Sequence, residues 1–286
     1  MGKKQDYTVG VDLGGTKLLA VVFDGAYGSK GRAKKKVGKS RDNEAVLEKM
    51  REVISDALDD AGIGLSEVSA IGIVCPGPVD FENGIILETP NLGLDNFPIR
   101  DRLSDALGVP VFLENDVNAG TYGEYTAGAG RGFSHVVGLF PGTGLGGGLI
   151  LDGRLYRGAT GGAGEIGHMI IQVDGRRCGC GQDGCLEAMA SRTAIAKDLV
   201  ALAATGSAPV VYKKAGSDFS AIKSSVIEKA WREGGSVAVS IVERAARHLG
   251  IGMANCVNIF NPELIVIGGG LVEKLGAPYI EKAESA

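Results

Sequence analysis

Apolar positions first repeat at a period of two. Residues 7–24 read Y-T-V-G-V-D-L-G-G-T-K-L-L-A-V-V-F-D, two β-rich runs on either side of Asp12 to Lys17. Paired Gly between such runs predicts a hairpin turn. Lys30 to Lys39, K-G-R-A-K-K-K-V-G-K, reads as an exposed strand or hairpin edge, where lysines discourage aggregation. The period then changes. Val46, Leu47, Met50, Val53, Ile54, Ala57, Leu58 and Ala61 recur at three and four, which predicts a helix over 44–61. Asp42 or Asn43 can cap its start and Gly62 its end.

Residues 68–74 form a buried strand that runs into the stiff loop C-P-G-P-V-D, followed by a hairpin around Asn83-Gly84. A short helix takes in Leu103 to Leu107. A strand at 110–113 leads into E-N-D-V-N-A-G and a helix at 117–127. Residues 135–153, H-V-V-G-L-F-P-G-T-G-L-G-G-G-L-I-L-D-G, repeat the strand–Gly turn–strand pattern, with the second strand at Leu149 to Leu151. Helices are expected over 188–204 and 236–257, a strand over 264–267 and a Gly turn at 268–270. Residues 205–225 show no clear pattern.

Both Gly turns expose backbone N–H groups on which an anion can sit. In the first, Thr16 adds a hydroxyl and Lys17 a charge, and Asp12 can hold Mg²⁺ through water. Taken alone it also reads as an ordinary hairpin. It is not a Walker loop, because Thr16-Lys17 reverses the required order and a strand follows where a helix should. The second turn holds G-x-G-x-x-G at Gly142, Gly144 and Gly147, yet a strand again follows, so a dinucleotide fold is excluded. Two such loops in one chain point to a pair that grips the phosphates of a nucleotide.

One short stretch carries the densest chemistry. His168, Cys178, Cys180 and Cys185 offer an imidazole and three thiolates, a set that suits tetrahedral Zn²⁺. A buried reduced cluster or a disulfide is the plainer alternative. With four protein ligands no position stays open, so the zinc is expected to be structural. Glu165 and Glu187 flank the ligands and would be fixed by them. Asp116 sits where a strand ends and a helix begins. It reads equally as an N-cap and as a general base at a strand's C-terminal end, with Asn115 beside it on the same ligand.

The 286 residues allow two domains or one large one, and 44% apolar content supports a real core. A formal net charge of −4 gives no sign of a nucleic-acid surface. No apolar run suggests a signal or a membrane span, so a cytoplasmic location is expected, where clustered Cys favours metal over disulfides.

In order along the chain, D-L-G-G-T-K, E-N-D-V-N-A, G-T-G-L-G-G-G, G-E-I-G-H-M with C-G-C-G-Q-D-G-C-L-E, and I-G-G-G resemble the signatures of the ROK family of sugar kinases, glucokinases above all. The resemblance implies an α/β fold of two actin-like (ribonuclease H-like) domains, with mixed β-sheets flanked by helices and an active-site cleft between them. We expect domains at 1–116 and 117–286. It implies ATP and a hexose as substrates, Mg²⁺ with the ATP, structural Zn²⁺, and a homodimer without nucleic-acid or membrane partners. Asp116 would be the catalytic base, and Asn91, Asn115, Glu165, His168 and Glu187 would contact the sugar, His168 while also binding zinc. ATP would meet Asp12, Gly14, Gly15, Thr16 and Lys17, then Gly142, Thr143, Gly144, Gly146 and Gly147, with adenosine at Gly268, Gly269 and Gly270. Two departures stand out. Family members usually continue with more helix beyond the adenosine loop, so a truncated or compact variant is expected. Cys75 replaces another small residue. Sugar-binding repressors of the family carry an N-terminal helix-turn-helix, for which no room is expected before Tyr7. A non-catalytic sugar-binding protein, kinases for other hexoses or N-acetylhexosamines, and polyphosphate as donor are the remaining alternatives.

Overall fold

The structure is a computed structural model that describes residues 7–38, 42–89, 92–216, 218–233 and 235–286. It divides into two compact units. Unit 1 takes the chain to Ala119 together with Gly158–Gly162, and unit 2 takes Gly120–Arg157 and Ala163–Ala286.

Unit 1 starts with strands β1 (Tyr7–Leu13), β2 (Lys17–Phe23) and β3 (Ser29–Lys36), then helix α1 (Asn43–Ala61) and strand β4 (Val68–Cys75). Short strands β5 (Val79–Asp80), β6 (Ile85–Thr89) and β7 (Leu94–Phe97) follow. Helix α2 (Ile99–Leu107), strand β8 (Val111–Asn115) and helix α3 (Asp116–Ala127) come next. The main sheet has the order β3-β2-β1-β4-β8, and β5-β6-β7 form a small sheet of their own. Alternation in β1 buries Tyr7, Val9, Val11 and Leu13 on one face. Met50, Val53, Ile54 and Ala57 of α1 are buried in the same core, each large side chain contributing about 1.5–3 kcal/mol. Asp42 caps α1 by accepting from the Glu44 N–H, and left-handed Gly62 ends it. Lys30 to Lys36 of the lysine-rich run lie in the sheet's edge strand β3, as the charge pattern predicts.

Unit 2 carries β9 (Val136–Pro141), β10 (Leu145–Leu151), β11 (Arg154–Leu155), α4 (Leu186–Ala190), α5 (Arg192–Ala204) and α6 (Pro209–Ala215). It continues with α7 (Ser224–Glu233), α8 (Gly235–Phe260), β12 (Leu264–Ile267), α9 (Val272–Leu275) and α10 (Ala277–Glu284). Its sheet has the order β11-β10-β9-β12. The plan of unit 1 recurs: β9 and β10 form an antiparallel hairpin, and β9 pairs in parallel with β12, as β1 does with β2 and β4. The helix expected over 188–204 is broken at Ser191. That residue is extended, and its hydroxyl caps α5 by accepting from the Ala194 N–H. The second strand of the hairpin starts at Leu145 rather than Leu149. Residues 205–225 hold α6, a single turn at Phe219–Ala221 and the start of α7. Among the described residues no helix is long and apolar enough to cross a membrane.

Candidate active site

In unit 1 the parallel strands β1, β4 and β8 end together. The register pairs Asp12 with Val74, Val74 with Glu114 and Cys75 with Asn115. The C-terminal ends of parallel strands are where α/β sheets bind ligands. The first glycine turn leaves β1 there. Gly14 N–H donates to Lys17 O at 3.0 Å, and Val37 N–H donates to Thr16 O at 3.1 Å. Thr16 and Lys17 are exposed and Gly15 is half-buried.

The two readings of Asp116 separate here. Asn115 caps α3: its Oδ1 accepts from the Val117 N–H at 2.9 Å and the Asn118 N–H at 3.1 Å. Its Nδ2 points to the Gly77 turn, where an added Cβ would stand 3.2 Å away. Asp116 begins the helix proper, and its Oδ1 shares the Val117 N–H with Asn115, at 2.9 Å. Burial raises the Asp116 carboxyl above its ordinary value, against the pull of the backbone N–H groups of Val117 and of Asp116 itself. Asp12 is raised as well, by burial first and then by the charge of Asp116. Burial, followed by these two carboxylates, pushes the Cys75 thiol up to about 12, so it is inert near neutral pH. Asn91 lies outside the described residues.

In unit 2 the second turn is braced from α5. Gly142 N–H donates to Gly144 O at 2.8 Å, and Arg192 N–H donates to Gly142 O at 3.0 Å. The Arg192 guanidinium donates to Thr143 Oγ1 and the Thr193 hydroxyl donates to Thr143 O, both at 2.6 Å. Leu145 N–H donates to Glu187 Oε2 at 2.9 Å. A Cβ on Gly144 would stand 2.3 Å from that oxygen, so only glycine lets the carboxylate approach. Gly146 and Gly147 lie inside β10, paired with Phe140 and Leu139, rather than in the turn. Gly268 and Gly269 follow β12 and run alongside β9: Gly268 N–H donates to Leu139 O at 2.9 Å, and Leu271 N–H to Pro141 O at 3.4 Å. Sequence reasoning missed Arg192 and Thr193 because it carried one helix through Ser191. Ser-Arg-Thr after L-E-A-M-A was the cap signal.

The ligand atoms of His168, Cys178, Cys180 and Cys185 all lie within 4.8 Å of one another. Cys178 Sγ is 3.7 Å from His168 Nδ1, and Cys180 Sγ is 3.7 Å from Cys185 Sγ. Tetrahedral Zn²⁺ with bonds of about 2.3 Å to sulfur and about 2.0–2.1 Å to nitrogen has edges of about 3.8 and 3.6 Å. The donors therefore fit that ion in kind, and these two spacings match its edges. Burial, with the two neighbouring thiols, pushes the Cys185 thiol up to about 12. A backbone donor at Gln182 lowers Cys180. With Nδ1 turned to the cluster, His168 keeps Nε2 for a second partner. Glu165 is exposed beside it, and Glu187 Oε1 lies 3.7 Å from Cys178 Sγ.

A repeated sheet, each copy built on a hairpin with a glycine turn and a parallel third strand, defines the actin-like ATPase fold, here with acidic strand ends and a Cys₃His cluster. The family model for the ROK family matches residues 8–283, and the chain belongs to that family. It is 39% identical over 282 residues to a glucokinase of Thermotoga maritima, covering 96% of this chain and 86% of the relative. It is 35% identical over 276 residues to a xylose repressor of Caldicellulosiruptor bescii, covering 96% of this chain and 68% of that one. A ROK family glucokinase from Streptomyces griseus, solved in complex with glucose and AMPPNP, superposes with a TM-score of 0.81 at 34% identity, covering 97% of this chain and 88% of that chain.

Proposed function

We propose that this chain is an ATP-dependent sugar kinase that transfers the γ-phosphate of ATP to the 6-hydroxyl of a hexose, with glucose as its substrate. Glucokinase relatives at 39% and 34% identity over nearly the whole chain support the activity. One observation carries the chemistry: Asn115 takes over the cap of α3, which leaves the Asp116 carboxylate at the strand end for a substrate. Asp116 accepts the proton of the attacking hydroxyl and orients it. Its raised proton affinity suits that task, since a base works best with a pKa drawn toward the working pH. Asn115 Nδ2 donates to the sugar from the same strand end. Glu165, Glu187 and the Nε2 of His168 contact further hydroxyls. The first turn, with Thr16 and Lys17, and the second, with Gly142, Thr143 and Gly144, hold the phosphates. Gly268, Gly269 and Gly270 give the adenosine bare backbone.

Phosphoryl transfer passes through a loose transition state, so positioning and charge neutralisation supply most of the catalysis. Asp12 offers the hard oxygen that Mg²⁺ prefers, and Mg²⁺ bound with ATP neutralises phosphate charge. Zn²⁺ on His168, Cys178, Cys180 and Cys185 has a structural part: it holds the segment that presents His168 and Glu187.

The similarity to a xylose repressor supports a second reading, sugar binding without turnover. Purified protein assayed for ADP release with glucose, fructose, allose, N-acetylglucosamine and N-acetylmannosamine separates the two. The kinase reading predicts turnover, fastest with glucose, and sugar phosphate formed faster from ATP than from polyphosphate. Sugar binding with no turnover on any sugar would establish the second reading.

A further inference from the structure

The loop that carries the metal ligands also borders the second glycine turn. Arg176, Cys178 and Gly179 line one cavity of ≈ 490 Å³ together with Thr143, Thr193 and Lys197. That size lies within the usual range for small-molecule pockets, about 300–1,000 Å³. Glu187 also spans from cluster to turn. It stands in the first turn of α4, two residues after the ligand Cys185, which is the helix's N-cap residue. One carboxylate oxygen accepts from the Leu145 N–H at 2.9 Å. The other lies 3.7 Å from the sulfur of the ligand Cys178. A metal ion that fixes Cys185 therefore fixes the start of α4 and with it the position of this carboxylate, whose hydrogen bond to the Leu145 N–H fixes the turn.

We propose that Glu187 is a positioning residue for the nucleotide: it transmits the order of the metal cluster to the second glycine turn, so that filling the cluster strengthens nucleotide binding even when no sugar is present. The inference rests on the kinase reading above and extends it, because that reading gives the cluster a part on the sugar side alone. A carboxylate that served only sugar hydroxyls would leave nucleotide affinity untouched by the metal.

The test is calorimetric titration of Mg-ADP, without sugar, into the full chain loaded with zinc and again after chelation. Circular dichroism and thermal melts accompany it. Glu187→Ala and Glu187→Gln, both zinc-loaded, complete the set. Chelation and Glu187→Ala should each raise the Kd for Mg-ADP by about tenfold, the lower end of what outer partners of a metal site usually cost. Glu187→Gln keeps an acceptor for the Leu145 N–H and should recover most of the affinity, which a general loss of structure would not allow. If the chelated chain unfolds, zinc-loaded Glu187→Ala decides. Equal Mg-ADP affinity in folded chelated and loaded protein, or in Glu187→Ala and the parent, would overturn the inference and leave the kinase reading intact. No Mg-ADP binding by the loaded parent chain would overturn both.

Discussion

The first glycine turn is tied through backbone hydrogen bonds from Gly14 and Val37, and its Thr16 and Lys17 side chains stand exposed. The second is held by side chains from elsewhere in unit 2: Arg192 and Thr193 on Thr143, and Glu187 on Leu145. Both turns join antiparallel strands in sheets of the same plan, so the difference lies in the surroundings and not in the hairpin. A turn held by backbone hydrogen bonds alone keeps its shape when distant side chains change. A braced turn depends on whatever holds its braces, and here one brace leads to the Cys₃His cluster. The contrast predicts that unit 2 carries the long-range sensitivity of the molecule.

The largest effect expected from that contrast is loss of the metal. Cys185→Ser should take zinc content from one ion per chain to none and weaken sugar affinity by about 10–100-fold, as read by metal analysis and sugar titration. Unchanged sugar affinity without metal would cut the link between cluster and site. Next is Arg192→Ala. Losing a charge-assisted hydrogen bond worth about 1.5–3 kcal/mol should raise KM for ATP at least tenfold, with kcat affected less. Steady-state kinetics would show whether the brace acts on nucleotide binding.

The smallest effect is on stability. Burial raises the folded pKa of Asp116, so the folded state holds its proton to higher pH than the unfolded state does. Folding stability then falls as pH rises from the unfolded pKa through the folded one, and it stays lower above that window. Asp116→Asn removes this cost, and its Tm near neutral pH should equal or exceed the parent's. The difference should vanish below the unfolded pKa. A clearly lower Tm would mean that the carboxylate is structural.

Much of this was legible in the sequence because local rules and tertiary structure agreed. Asp42 and Gly62 bound α1 as cap chemistry dictates, and L-I-V-I before a glycine run is β12. Where packing decided, local rules misled. The glycines after Leu145 read as a turn, yet β10 runs through them. A Cβ on Gly148 would come within 2.2 Å of Thr121 Oγ1, so close approach of α3 demands glycine within a strand. Ser191 read as helix interior because α4 is only one turn long and the apolar pattern runs across the break. Asp and Asn are equally good caps, so only coordinates could assign the cap to Asn115 and release Asp116. The Cys₃His set was readable from residue type alone. The braces from Arg192 and Thr193 join positions about 50 residues apart and leave no local pattern.

The measurement that bears most directly on the account is the turnover of Asp116→Asn, zinc-loaded and folded, with Mg-ATP and glucose beside the parent chain. Removing a general base should lower kcat by about 10²–10⁴-fold with glucose binding retained. The parent's acid limb in kcat/KM should lie above that of an unperturbed aspartate. A kcat within a few-fold of the parent's would contradict the assignment of Asp116 as the base.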